Sequence, residues 1–333
     1  MSAERSSQAA GAATAATAAT AALPRPKAAV NVDIDGLYLY DRVHGRSGGA
    51  GNSSGFRPAE HDPRAWTRGV ARFLDLFDRT SVRATFFVVA QDLAHPDVRA
   101  VLDEICAAGH EVGNHAFSHP YDLSRWPLAA AILELERARS TLEQHTGRAV
   151  VGFRAPGYVL SDALVEAVAA TGHGYDSSRF PCPPYQAAKA LAIGLYRLVG
   201  RRSGSIPESP AIWFGPSAPH RVATPAGPLV ELPIGVVPGL RMPFIGTSAI
   251  ALGEAGWLAQ RPLLDRAAWL NFELHAIDLC DVDRDGLPES LRVQPDQRTP
   301  LSRKWPLLVQ ILESLRRTHD IRTLAEWAAL PIA

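Results

Sequence analysis

Three short stretches of this 333-residue chain gather side chains that could do acid–base or metal chemistry. The first is Val32-Asp33-Ile34-Asp35-Gly36, at the end of an apolar run. Residues i and i+2 of a strand share a face, so both carboxylates can enter one site. Two such acids repel each other unless a cation sits nearby, and the plain alternative is an acidic turn. The second stretch is Gly109-His110-Glu111-Val112-Gly113-Asn114-His115-Ala116-Phe117-Ser118-His119-Pro120. His115 and His119 are spaced by one helical turn, which would let two imidazoles meet one ion. With an aspartate they form a His-His-Asp set, which zinc accepts while keeping a fourth position for water. Cobalt, nickel, manganese and iron suit the same donors. The third stretch is Gly152-Phe153-Arg154-Ala155-Pro156-Gly157-Tyr158. An arginine at a strand end can pair with a carboxylate that is not a ligand. A glycine after proline lets a backbone N–H turn toward a bound group. Taken alone, a surface turn with a solvated arginine explains this third stretch better.

Something must bring the three together, and the hydropathy pattern supplies it. Short apolar runs over Ala28–Val32, Ala84–Ala90, Glu111–Gly113, Ala149–Phe153, Leu229–Pro233 and Trp269–His275 read as strands. Between them, helical spacing runs over Ala65–Phe77, Pro96–Ala108, Leu128–His145 and Ser161–Thr171, and later over Trp305–Arg317. This alternation predicts a parallel sheet, open or closed, with the polar stretches at the strand ends, where α/β proteins place their sites. Residues 1–26 are rich in Ala, Thr and Ser and read as a disordered tail ahead of one domain over 27–333. Residues 181–228 are proline-rich and read as an insertion carrying one apolar helix, Tyr185–Val199, followed by Arg201 and Arg202. The stretch 185–202 could lie on a membrane surface, although packing on the main domain is favoured.

Composition narrows the function classes. Lys plus Arg is 34 and Asp plus Glu is 34, so no basic excess is available for a nucleic-acid backbone. The three cysteines are scattered, form no CxxC pair and fit a reducing compartment. No secretory signal and no 20-residue apolar run is apparent, which predicts a cytoplasmic protein. Asp281-Val282-Asp283-Arg284-Asp285-Gly286 looks like the opening of a calcium loop, but its twelfth position is Arg292, so it reads as a solvated acidic turn.

Together the three stretches resemble the polysaccharide deacetylase family, which shares the NodB homology domain. Gly109 to Pro120 is similar, almost letter for letter, to that family's metal-binding histidine motif. Val32 to Gly36 is similar to its Thr-Phe-Asp-Asp-Gly, with the two aspartates spaced by one residue as in a subset of the family. Phe153-Arg154-Ala155-Pro156 resembles its Arg-x-Pro motif, and Tyr175-Asp176-Ser177-Ser178 its Asp-Ser-Ser stretch. The resemblance covers Ala28 to Phe180 well, Leu229 to Ala329 loosely and the insertion not at all. It implies an irregular (β/α)7 barrel and a hydrolase of carbon–nitrogen bonds in linear amides. The implied substrate is an N-acyl, foremost N-acetyl, amino sugar or glycan; if the stretch 185–202 meets a membrane, a lipid-linked sugar becomes a credible form of it. A divalent metal, foremost Zn2+, would sit on Asp35, His115 and His119, with Asp33 as base, oriented by Arg154. The oxyanion would face the backbone N–H of Gly157, with Tyr158 as an aromatic wall. His275 would be the acid, paired with Asp176. The competing readings are a deformylase or amidase acting on a lipid-linked or small non-sugar amide, and a carbohydrate-binding relative without activity.

Overall fold

The computed structural model of the chain describes residues 25–44, 62–200 and 203–332. The tail expected over 1–26 lies outside the described residues except for Arg25 and Pro26. Among the described residues, nine strands form one sheet: β1 (Lys27–Ile34), β2 (Thr85–Val88), β3 (Glu111–Asn114), β4 (Gly152–Phe153), β5 (Tyr175–Asp176), β6 (His220–Val222), β7 (Leu229–Glu231), β8 (Trp269–His275) and β9 (Asp320–Ile321). The order is β6-β7-β5-β4-β3-β2-β1-β8, with β9 on β1. All pairings are parallel except β6 with β7. Ten helices accompany the strands: α1 (Leu37–Val43), α2 (Ala71–Thr80), α3 (Pro96–Ala107), α4 (Leu128–Thr146), α5 (Asp162–Ala170), α6 (Pro183–Leu198), α7 (Pro210–Trp213), α8 (Gly246–Leu264), α9 (Leu301–Thr318) and α10 (Leu324–Ala328). This is the curled α/β sheet of an irregular (β/α)7 barrel, as the strand–helix alternation and the family resemblance led us to expect.

The parallel pairing explains the sequence of β1. Every residue after Lys27 in this strand is buried, as expected where both sheet faces are covered. One side of β1 (Ala28, Val30, Val32, Ile34) feeds the main apolar core under the helices. The other side carries Asn31 and Asp33, and points into the barrel. On β8 the inward residues are likewise polar: Asn271, Glu273 and His275. The barrel interior near the site is therefore a hydrogen-bonded polar core instead of a hydrocarbon one.

Register sets the height of the site. Ile34, Val88, Asn114, Phe153, Asp176 and Glu231 pair one after another across the sheet. Asp35, His115 and Arg154 each follow a residue of this rung, so three segments distant in sequence deliver their side chains at one level. Asp33 is paired with His275 one step below. Between β7 and β8 the barrel is closed by irregular chain. The Gly235 N–H donates to the Asn271 carbonyl at 2.8 Å. A Cβ at residue 235 would come within 2.7 Å of that oxygen, which is why glycine is needed there.

Three elements depart from the sequence expectations. The helix expected over Ala65–Phe77 opens with a wide π-type turn, Ala65–Val70, before α2. Its Gly69 lies against the Ala276 carbonyl so closely that a Cβ would clash. The long α8 was not anticipated at all: Gly253 breaks it with φ 64°, and Pro262 lies inside it, so its apolar spacing is irregular. The stretch 181–228 is less separate than expected, because its β6 joins the sheet edge against β7. No helix among the described residues is long and apolar enough to cross a membrane.

Candidate active site

The histidine segment leaves β3 as a loop, not as a helical turn. Ala116 (φ 65°) and His119 (φ 53°) are left-handed, a conformation that costs a non-glycine residue of order 1–3 kcal/mol. The loop is held there by its neighbours. The Asn114 side chain accepts from Ala116 N–H at 2.8 Å, and Glu134 accepts from both the N–H and the hydroxyl of Ser118. Behind it, Asn114 Nδ2 lies 3.1 Å from His173 Nε2. The result is that His115 and His119 meet edge to face, ring centroids 4.7 Å apart.

Asp35 completes the group. Its Oδ1 lies 3.4 Å from His115 Nε2 and 3.3 Å from His119 Nε2, and all three residues are buried. His115 Nδ1 is 2.8 Å from the Arg154 carbonyl; as the donor there, it leaves Nε2 free as a ligand atom. Asp35 Oδ1 and both ring nitrogens of His119 have no hydrogen-bond partner among the described residues. Buried polar atoms without partners are costly, and one carboxylate with two imidazoles is a donor set for a divalent ion. Burial works against the charge on Asp35, but His119 and His115 hold its carboxyl well below the usual range. Burial drives the His119 imidazole down to about 3, so it stays neutral and able to ligate. These residues fit a metal.

Asp33 stands beside this group and is held from the other side. Arg154 Nη1 donates to Asp33 Oδ1 at 3.0 Å and to Asn31 at 2.5 Å, while its Nε and Nη2 donate to the backbone and hydroxyl oxygens of Ser177. The guanidinium is fully buried and lies over the Phe87 ring at 4.5 Å. Asp33 Oδ2 has no hydrogen-bond partner among the described residues and lies 3.9 Å from His115 Nε2. Burial raises the Asp33 carboxyl above its ordinary value, against the pull of Arg154 and His115.

His275 faces the same cavity from the end of β8. Its Nδ1 is 2.9 Å from a Glu273 carboxylate oxygen, and its Nε2 is 3.2 Å from the Tyr158 hydroxyl. Burial disfavours an imidazolium, yet the adjacent Glu273 raises His275 well above its ordinary value. The carboxylate on His275 is thus Glu273, where the sequence pointed to Asp176. Asp176 accepts from the Ser178 hydroxyl, which in turn accepts from Ala155 N–H at 2.7 Å. Burial raises both Asp176 and its strand partner Glu231. Asp176 therefore braces the turn after Arg154 and is not among the residues lining the cavity. Glu273 was legible in retrospect, since it is two residues from His275 in a strand, the same spacing as Asp33 and Asp35.

The cavity has a volume of about 460 Å³ and is floored by Asp33, Asp35, His115, Gly157 and His275. Gly157 is left-handed (φ 65°), and its carbonyl accepts from Lys189 of α6 at 2.8 Å. The suspected calcium loop is a clamped turn. Asp281 accepts from the backbone N–H groups of Asp283, Arg284 and Leu301, and Asp285 pairs with Arg72.

The polysaccharide deacetylase family matches residues 62–175, a span that holds His115, His119 and Arg154. The chain resembles the polysaccharide deacetylases in sequence and in fold. Among solved structures, a polysaccharide deacetylase candidate from Mycobacterium smegmatis is similar to it with a TM-score of 0.54 at 18% identity, covering 92% of this chain and 90% of that one. The Xyl-CE4 domain of a multidomain xylanase from the hindgut metagenome of Trinervitermes trinervoides matches at 13% identity and a TM-score of 0.44, covering 91% and 89%. A mutant of the peptidoglycan deacetylase PdaC from Bacillus subtilis matches at 13% and 0.43, covering 91% and 89%. The last two scores are too low to bear on the fold. Asp33 and Asp35 lie ahead of the matched span and reach the site through β1.

Proposed function

We propose that this deacetylase relative hydrolyses the N-acyl group, foremost N-acetyl, of an amino sugar or glycan, with a divalent ion, foremost zinc, on Asp35, His115 and His119. One observation carries the reading: a buried Asp-His-His donor set, in which Asp35 Oδ1 and the His119 nitrogens have no hydrogen-bond partner among the described residues, adjoins an equally unpartnered Asp33 Oδ2, and His275 with Glu273 on its Nδ1 faces the same cavity. When bound, the ion supplies a Lewis acid that polarises the amide carbonyl and lowers the pKa of water. Asp33 Oδ2 takes the proton as the water oxygen attacks the carbonyl carbon. Arg154 keeps Asp33 oriented through its other oxygen. The backbone N–H of Gly157 donates to the developing oxyanion. His275 Nε2 delivers its proton to the nitrogen as the C–N bond breaks, and Glu273 fixes the imidazole for that role. The products are a carboxylate and a free amine. Unpaired Cys106, Cys182 and Cys280 support a reducing, cytoplasmic setting.

The purified protein should contain a stoichiometric ion and release acetate, or formate, from a panel of N-acyl amino sugars. His119→Ala should lose ion and turnover together. Asp33→Asn should keep the ion while turnover falls about 10²–10⁴-fold. Sugar binding with a bound ion and no acid release would sink the enzyme reading in favour of a binding protein. Loss of the ion from Asp33→Asn would overturn the division of roles between the two aspartates.

A further inference from the structure

We propose that the substrate is an amphiphile: an N-acyl amino sugar carrying a hydrocarbon chain, taken up from an anionic lipid surface on which α6 lies. The inference rests on the proposed N-deacylation and names the substrate class for it.

The first observation is the wall of the cavity. Above the polar floor, α6 contributes Tyr185, Ala188, Ala192, Ile193 and Tyr196. The facing side adds Ile245, Thr247, Ser248 and Ala251 from the start of α8 and the residue before it, and the Ser248 hydroxyl is already bonded to the Pro243 and Ile245 carbonyls. Alanine and isoleucine side chains offer nothing to a sugar hydroxyl, and a hydroxyl buried without a partner is penalised. A hydrocarbon chain meets no such penalty and gains with every methylene buried. The wall is also fixed in place. Lys189 donates to the Gly157 carbonyl at 2.8 Å, and the Tyr196 hydroxyl is 2.9 Å from His44 Nδ1. The same helix therefore joins the oxyanion turn to the apolar slot.

The second observation is the other side of α6. Leu191, Leu195, Leu198 and Val199 recur at helical spacing and are exposed, Leu198 by 83%. None of them lines the cavity. A helix with one apolar face on the protein and another in water has an unfilled contact. Charge identifies the occupant. Lys189 is turned to the cavity, but between residues 181 and 207 the sequence also has Arg197, Arg201 and Arg202 and no acidic residue, in a chain whose total charge is zero. Leucines flanked by basic residues on a surface helix suit the headgroup region of an anionic membrane. A substrate anchored in that membrane would be presented beside the cavity that α6 walls.

The test uses the full chain loaded with zinc. Amine release is compared for methyl and octyl β-glycosides of N-acetylglucosamine and for N-octanoylglucosamine. At least a tenfold gain in kcat/KM over the methyl glycoside is expected for one octyl compound. A gain for the octyl glycoside places the chain on the aglycone, and a gain for N-octanoylglucosamine places it on the acyl group released. Equal rates for all three overturn the amphiphile while leaving N-deacylation standing. No turnover on any of them counts against the function itself. In that case calorimetric binding of the methyl and octyl compounds to zinc-loaded Asp33→Asn decides the inference: tighter octyl binding supports it and equal binding overturns it. Co-sedimentation with vesicles of phosphatidylglycerol and phosphatidylcholine, against phosphatidylcholine alone, reads the docking face. Leu195→Glu with Leu198→Glu should abolish sedimentation and leave the methyl glycoside rate unchanged. A dimer in ultracentrifugation that this double variant dissolves, without vesicle binding, would assign the face to a second copy instead.

Discussion

The floor and the wall of the cavity are built on opposite principles. The floor collects Asp33, Asp35, His115 and His275 from the ends of three strands, with Arg154 buried behind Asp33, and nearly every polar atom is either paired or free in a way that chemistry could use. The wall comes largely from α6, whose contribution is mostly alanine, isoleucine and tyrosine, with Lys189 reaching down to the floor. The floor carries its charges at a desolvation cost and depends on complete networks. The α6 wall carries one charge, Lys189, and apart from the bonds of Lys189 and Tyr196 depends on shape. Damage should therefore propagate through the floor and stay local on the wall.

The largest effect should come from Arg154→Met. It leaves Asp33 and Asn31 buried without their donor, and breaking a buried pair costs about 3–5 kcal/mol. Urea unfolding of the metal-free protein should show this as a lower midpoint. A loss under 1 kcal/mol would mean that the floor is less tightly coupled than its contacts suggest. Next is His275→Gln, expected to lower turnover about 10²-fold on an alkyl amide. The loss should shrink on an anilide, whose leaving amine needs less help from an acid. Equal losses on both would remove His275 from the acid role.

A smaller effect follows from His173, which braces the histidine loop through Asn114. Burial, aided by the charge of Arg139, lowers its imidazole to about 4. The unfolded chain therefore takes up this proton near pH 6.5, while the folded protein resists until about pH 4. Stability is fully present above about pH 6.5 and falls by about 1.4 kcal/mol per pH unit below it. His173→Gln should remove that part of the slope in denaturant titrations. The smallest change is expected on the wall's outer face: Leu198→Ser should shift stability by no more than about 0.5 kcal/mol. A larger loss would show that α6 is part of the fold's support and not only a cover.

The same contrast decides what could be read from the sequence. Strand alternation and polar strand ends point to a parallel sheet, open or closed, and to Asp33, Asp35, His115 and His119, where local pattern and site coincide; the barrel, and Arg154 as a site residue, come from the family resemblance. The resemblance then assigns them roles. What escaped depends on contacts that local pattern does not encode. Glu273 was passed over because Asp176 stood in a motif, although only register decides which carboxylate reaches His275. The loop carrying His119 was read as one helical turn because spacing is blind to a left-handed residue held by Asn114 and Glu134. The broken α8 gave no clean period, and the closure at Gly235 is made by chain that belongs to no strand.

The pairing of Asp33 with His275 has a consequence for the newly made chain. Asp35, His115, His119, Asp33 and Arg154 all lie in its first half, whereas Glu273 and His275 arrive with β8, one of the last strands to be synthesised. Contacts between distant segments form late, since the intervening chain must first be ordered. The growing polypeptide thus carries Asp35, His115 and His119 before it carries Glu273 and His275. On the proposed reading, loading of an ion and arming of the acid would be separate events, the second set by the arrival of β8 beside β1.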